Sequence, residues 1–382
     1  MSGQQDEAQP ARKKKTPEDG IALCLSGGGY RAMLFHVGAL LRINEVGLLR
    51  KIKRISSVSG GSITAGTLGV NWSKLNFDNN GVADNLRSLL EEPVRKLASE
   101  TIDAESIIIG LLTPGSIGDR IAKAYDRNIF KGATLQDLPD DSSGPRFVIN
   151  ASNIQSGALW RFSRPYMADY LVGMVKNPGV PLAVAVAASS AFPPVLSPFV
   201  LRLKDSDFDP ESRSTLSRPP YTTKVVLSDG GVYDNLGQET AWKRYKTILV
   251  SDAGGRMQPE PRPKKDWARH SYRVFNVIDN QVRNLRKRQL IQAYMSSSDE
   301  HNGAYWGIRD DINDYTVPGS LSCSYDKTLE LADTPTRLKK LEDKTQKQLI
   351  NWGYAISDAV IRKYYDSNIS KPGGMPYPDE IL

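Results

Sequence analysis

The sequence predicts an α/β fold with a mainly parallel central sheet and covering helices. Three observations predict it. Short apolar runs alternate with helical patterns near the start of the chain, and glycine-rich turns end those runs. Hydrophobic residues also make up 40% of the 382 residues, enough for one large core or two modest ones.

Ile21 to Leu25 is an apolar run stopped by Ser26-Gly27-Gly28-Gly29, which reads as a buried strand entering a tight loop. From Arg31 to Leu48, Met33, Val37, Leu40, Leu41 and Ile43 follow a helical pattern. Ile52 to Val58 reads as a second strand, Ser59-Gly60-Gly61 as its turn, and Ser62 to Val70 as the start of another helix. Strand, helix, strand, helix in close succession argues for parallel strands joined by crossover helices. Residues 72–140 read as mostly helical, a lid or cap over the sheet. Phe147 to Ala151 is a further strand. Val180 to Ala191 is a helix opened by Pro181. Val225 to Leu227 and Thr247 to Val250 are two more buried strands, and the Asp-, Ser- and Pro-rich stretch 204–220 is an exposed loop.

Residues 1–19 lack an apolar core segment, so they are expected to form a disordered arm and not a secretory signal. No run of 18 or more apolar residues predicts a membrane span. Cys24 and Cys323 lie far apart in sequence and suggest no disulfide framework, which points to a reducing, cytoplasmic setting. Residues 20–255 are expected to form the main domain, with the basic, helical portion 256–382 packing on it.

The net charge of +7 is concentrated. Between Arg256 and Arg288 ten Lys/Arg stand against Glu260, Asp266 and Asp279, which leaves 40 basic and 40 acidic residues elsewhere. Such a patch attracts an anionic membrane surface or nucleic acid. Its other reading is a solvated helix face bearing Arg283, Arg286, Lys287 and Arg288.

Three segments carry chemistry. Ser57-Val58-Ser59-Gly60-Gly61 sits at a strand-to-helix junction, where a strained turn projects a serine hydroxyl clear of the sheet. Ser57, Gly60 and Gly61 leave room for that backbone, although Ser57 stands where the usual Gly-x-Ser-x-Gly has glycine. Ser62 is the rival nucleophile but falls inside the helix. Gly27-Gly28-Gly29-Tyr30-Arg31 offers glycine amides at a helix start, suited to a tetrahedral oxyanion at about 3 kcal/mol per donor. A phosphate loop is the alternative, but the Gly-Lys-Ser/Thr ending and the full dinucleotide pattern are missing. In Leu227-Ser228-Asp229-Gly230-Gly231 an aspartate leaves a strand end towards the crevice where open α/β sheets bind ligands. Asp252 is its runner-up. Each segment also has a plain reading as a glycine-rich turn.

Of the three histidines, His36 falls within a helix, and His270 and His301 lie in basic and polar stretches. None has the setting of a triad base. A Ser59–Asp229 dyad is the simpler assignment, with the aspartate pKa raised by burial.

Together these segments resemble the patatin-like phospholipases. Gly27–Arg31 matches their oxyanion motif, Ser59-Gly60-Gly61-Ser62 the nucleophile elbow, and Asp229-Gly230-Gly231 the Asp-Gly-Gly/Ala motif. Ala188-Ser189-Ser190-Ala191-Phe192-Pro193-Pro194 resembles the stretch that precedes the aspartate, and Leu349 to Tyr354 fits a late helix. The departures are Ser57 and Ala32, each in place of glycine. The resemblance implies a three-layer fold and hydrolysis of acyl esters of phospholipids or related lipids. It also implies a Ser-Asp dyad, transient contact with anionic membranes from the cytoplasmic side, no metal or cofactor, and no nucleic acid partner. Oligomeric state is left open. The alternatives are a catalytically silent lipid- or anion-binding protein of the same fold and a nucleotide-binding protein.

Overall fold

The computed structural model describes residues 16–103, 116–296 and 300–382. β1 (Glu18–Leu25) runs into α1 (Gly29–Glu45), and β2 (Ile52–Val58) into α2 (Gly60–Val70). Two short helices follow, α3 (Glu92–Ala98) and α4 (Ile117–Tyr125). A meander comes next: β3 (Arg146–Asn153), β4 (Ala158–Phe162), β5 (Tyr166–Asp169) and β6 (Gly173–Lys176). Then come α5 (Leu182–Ser189), β7 (Phe199–Arg202), β8 (Lys224–Asp229), single-turn α6 (Gly231–Asp234), α7 (Glu239–Trp242) and β9 (Tyr245–Asp252). The C-terminal portion holds α8 (Trp267–Met295), β10 (Asn302–Gly307), α9 (Tyr325–Ala332) and α10 (Asp343–Tyr364).

The described strands form one mixed sheet in the order β10-β9-β1-β2-β3-β4-β5-β6, with β8 beside β3 and β7 beside β8. From β10 to β3 neighbours are parallel, as the helical crossovers demand. From β3 to β6, and through β8 and β7, they are antiparallel. The parallel expectation therefore holds for one half. In the meander, links as short as residues 154–157 leave no room for a crossover helix, so antiparallel pairing follows.

Side-chain alternation along β1 separates two helical layers. Leu23 and Leu25 face the core that contains α1, α2 and α10, while Ala22 and Cys24 face a smaller cluster with Leu236, Ala241 and Leu290. The last helix is integral to the first layer. A Cβ on Gly38 would fall 1.9 Å from the Ile350 carbonyl oxygen, and one on Gly353 would fall 1.9 Å from that of Phe35. The α1 and α10 backbones thus touch directly.

The described part of 72–140 packs against α1, α2, α5 and β7, on helices that cover the sheet, and lines none of the cleft described below. Residues 1–15, most of the expected arm, lie outside the described residues, and β1 already begins at Glu18.

Candidate active site

Register brings the central pair together. Arg54–Val58 of β2 pair with Arg146–Asn150 of β3, and Leu227–Asp229 of β8 pair with Asn153–Ala151 of the same strand. β4 occupies the opposite edge of β3, so β2 and β8 share one edge and run towards each other. Their carboxyl tips meet where Val58 faces Asn150 and Asp229 faces Ala151. Ser59 and Asp229 therefore lie side by side although 170 positions separate them.

Ser59 has φ 53° and ψ −121°, a backbone conformation rare for a residue with a side chain. Tight packing around the turn enforces it. A Cβ on Gly60 would sit 2.1 Å from the Gly29 carbonyl oxygen, and one on Gly27 would sit 3.0 Å from the Ser59 Cβ. The Ser59 amide donates to Ser189 Oγ at 3.0 Å. Ser57 adapts to the missing glycine by donating to the Val148 carbonyl of β3 and accepting from Ser62 Oγ of α2. Ser62 is fully buried and bonded to Ser57 and Ser189, which removes it as a rival.

Asp229 is 1% exposed. Its Oδ1 accepts the Gly231 amide at 2.7 Å, and its Oδ2 has no well-formed partner. Burial pushes its carboxyl up to about 7 against the pull of the Gly231 amide and the Ser59 side chain, and the nearby Asp279 charge adds to the rise. Asp252, the runner-up, differs. Burial opposes its charge too, but Arg283, Tyr305 and the Gly254 amide hold it below the usual carboxylate range.

The glycine loop divides its tasks. The Gly27 amide donates to the Asn235 carbonyl at 3.2 Å and is not free for an oxyanion, contrary to expectation. Gly28 caps α1 and Gly29 opens it, so neither amide has an intrahelical acceptor. Arg31 is not among the residues lining the cleft. It is 2% exposed and holds the Ala253 carbonyl through Nε and Nη2 and the Thr334 carbonyl through Nη1. It anchors the loop and is not placed to meet a lipid phosphate. Gly230 and Gly231 follow Asp229 closely: a Cβ on Gly230 would fall 2.3 Å from the Asn150 carbonyl oxygen.

His36 is buried between Ser251 Oγ and the Ser26 carbonyl, and burial lowers its pKa to about 4. His301 stacks on Trp242. No histidine is among the residues lining the cleft. Among the described residues no group of three or more His, Cys, Asp or Glu could hold a metal ion, and no helix is long and apolar enough to cross a membrane.

A cleft of about 340 Å³ opens beside Ser59, Asp229, Gly27 and Gly28. Phe192, Val232, Met257 and Phe275 give it an apolar wall, and α8 closes one side with Tyr272, Asn276, Asp279 and Arg283. Sequence reasoning missed α8 in this place, along with Ser189 and Asn235. Ser189 lay within a recognised stretch, but Asn235 and Asp279 carry no signature. The basic patch is also split. Arg283 meets Asp252 and the Gly255 carbonyl, Arg286 meets Glu239, and Lys287 meets Asp310, so three of the four cations expected on a solvated face turn inward.

The patatin-like phospholipase family model matches residues 23–242, more than half of the chain. Human GIVD cytosolic phospholipase A2 shares the fold at TM-score 0.52 and 12% identity, over 88% of this chain and 58% of that one. The same protein in complex with methyl gamma-linolenyl fluorophosphonate gives 0.51 and 13%, over 89% and 57%. This chain therefore spans less than two thirds of those neighbours' length. No significant match is found among curated proteins. With the motif-bearing segments inside the matched region and the fold shared, the chain belongs to the patatin-like phospholipase family.

Proposed function

We propose that the protein is a serine acyl hydrolase acting on phospholipids or related acyl-ester lipids, with Ser59 as nucleophile and Asp229 as its base. The observation that carries this reading is a buried carboxylate without a cation, poised near neutrality, set against a strained serine at a cleft. Ser59 Oγ attacks the ester carbonyl while Asp229 takes its proton. The negative oxygen is met by the Gly28 and Gly29 amides at the positive end of α1. As the tetrahedral intermediate collapses, Asp229 returns the proton to the leaving alcohol. Water then repeats the sequence on the acyl-enzyme. The apolar wall at Phe192, Val232, Met257 and Phe275 suits an acyl chain.

Residues 20–255, completed by β10 and α10, are taken as the hydrolase unit, working peripherally at membranes. The test is fatty-acid release from phospholipid vesicles by wild type, Ser59→Ala and Asp229→Asn. Activity confined to wild type supports the reading. Equal release by either variant removes the pair, and no release by wild type on any lipid favours the silent binding protein.

A further inference from the structure

α8 is 29 residues long, yet only Leu290 among its side chains is fully buried. At 100° per residue its two faces separate. Tyr272, Asn276, Asp279 and Arg283 line the cleft. Centred well over a quarter turn away, Trp267, Val274, Ile278, Val282 and Leu285 form an outer stripe, with Ser271 in its one gap and Val282 at its border with the cleft-lining Phe275. These five are exposed to 83, 45, 57, 38 and 55%. At 1.5 Å per residue the stripe runs for about 27 Å. Isolated apolar residues on a surface mean nothing, but a contiguous line of this length does.

Exposed cations lie near it. Arg262, Lys264 and Lys265 precede the helix and Arg288 stands beside the stripe, against Glu260 and Asp266, while Arg269 is on the far side of the helix. Of those two acids, Asp266 is held by Arg269 and the helix N-terminus.

We propose that the outer stripe of α8 is an interfacial docking surface for an anionic bilayer. Its apolar side chains enter the boundary between headgroups and acyl chains, and the flanking lysines and arginines meet lipid phosphates. The cleft wall lies on the same helix, one helix diameter (about 10 Å) away. An ester lifted from the bilayer thus has a short path to Ser59. A second copy of the chain fits less well, because a symmetric contact along this stripe would bring the same cations together. The proposal deepens the lipid-hydrolase reading and depends on it for its purpose, but docking itself needs no catalysis.

The test uses full-length Ser59→Ala protein, which separates binding from turnover. Co-sedimentation is measured with phosphatidylcholine vesicles with and without phosphatidylglycerol. Ile278 and Leu285 do not line the cleft. Binding to the anionic vesicles is expected, weakening with salt, and falling about tenfold or more in Ile278→Glu/Leu285→Glu. Val274→Glu is expected to weaken it in the same direction. Ile381→Glu, a substitution at an exposed residue in the C-terminal tail, is expected to have no effect. In the active protein the double substitution should lower hydrolysis of vesicles but not of a water-soluble short-chain ester. Unchanged vesicle binding by the double variant overturns the proposal. So does a wild-type dimer, seen by light scattering, that the double variant dissociates without any vesicle binding. If binding behaves as expected and no ester is cleaved, the docking surface stands and the hydrolase reading fails.

Discussion

Two aspartates, each 1% exposed, show how differently this fold treats a buried charge. Asp358 lies between α1 and α10, where Arg42 Nε and Nη2 approach it to 2.8 and 2.7 Å and Arg362 Nη1 to 3.2 Å. Asp229 lies at the meeting point of β2 and β8 with one amide, one serine and an unpaired oxygen. Desolvation opposes both charges. At the helix interface two guanidinium groups pull against it, although burial still holds the Asp358 carboxyl above its usual range, and the ion-paired cluster joins the first and last helices. At the cleft only the Gly231 amide and the Ser59 side chain oppose it, with no cation beside them, and burial holds the carboxyl at about 7. On the proposed reading, the difference marks where the molecule keeps reactivity in place of stability.

The comparison can be broken at either end. The largest expected effect is on turnover. Ser59→Ala and Asp229→Asn should each lower hydrolysis by a factor of about 10³ or more while leaving the fold intact, as read by rate and circular dichroism. Next, Asp358→Ala should destabilise the protein by about 3 kcal/mol in denaturant unfolding, because it removes the carboxylate between two buried cations, yet leave the rate per folded molecule unchanged.

The third prediction inverts the second. A folded-state pKa of about 7 exceeds that of the unfolded carboxylate, near 3.9. The native state therefore holds this proton more tightly. The stability it gives is complete below the unfolded value and is lost as pH rises through 7. Asp229→Asn should accordingly be more stable than wild type at pH 8, by up to about 4 kcal/mol, with the difference fading towards pH 4. Smallest is the effect of Asp279→Asn. Asp279 is the last contributor to the rise at Asp229, after burial. Its removal should move the acid limb of the pH–rate profile slightly downward.

Much of this site was legible in the sequence because strained turns advertise themselves. Ser59 needs small neighbours, Gly28 and Gly29 take positive φ, and Asp229 is followed by two glycines. Four strands of the parallel half, β1, β2, β3 and β9, were legible too, since β1, β3 and β9 carry short apolar runs such as Ile21–Leu25 or Ile248–Val250 and β2 ends at a serine-glycine turn. The strands at Ala158–Phe162 and Asn302–Gly307 were not: the first is only five residues long, and the second carries glycine at both Gly303 and Gly307. The antiparallel entry of β8 was also hidden, because register against β3 is a long-range property. The split of the basic patch could not be read either. Arg283 and Arg286 look like solvated residues in sequence, and only the fold brings Asp252 and Glu239 to them.

The most direct test of the central claim follows the rate at which a lipid-tailed fluorophosphonate labels the protein as pH varies. The account predicts a single adduct on Ser59, a rate that rises through about pH 7 and then levels, and near loss of labelling in Asp229→Asn. Labelling at another residue, or an Asp229→Asn protein that reacts as fast as wild type across the same range, would contradict it.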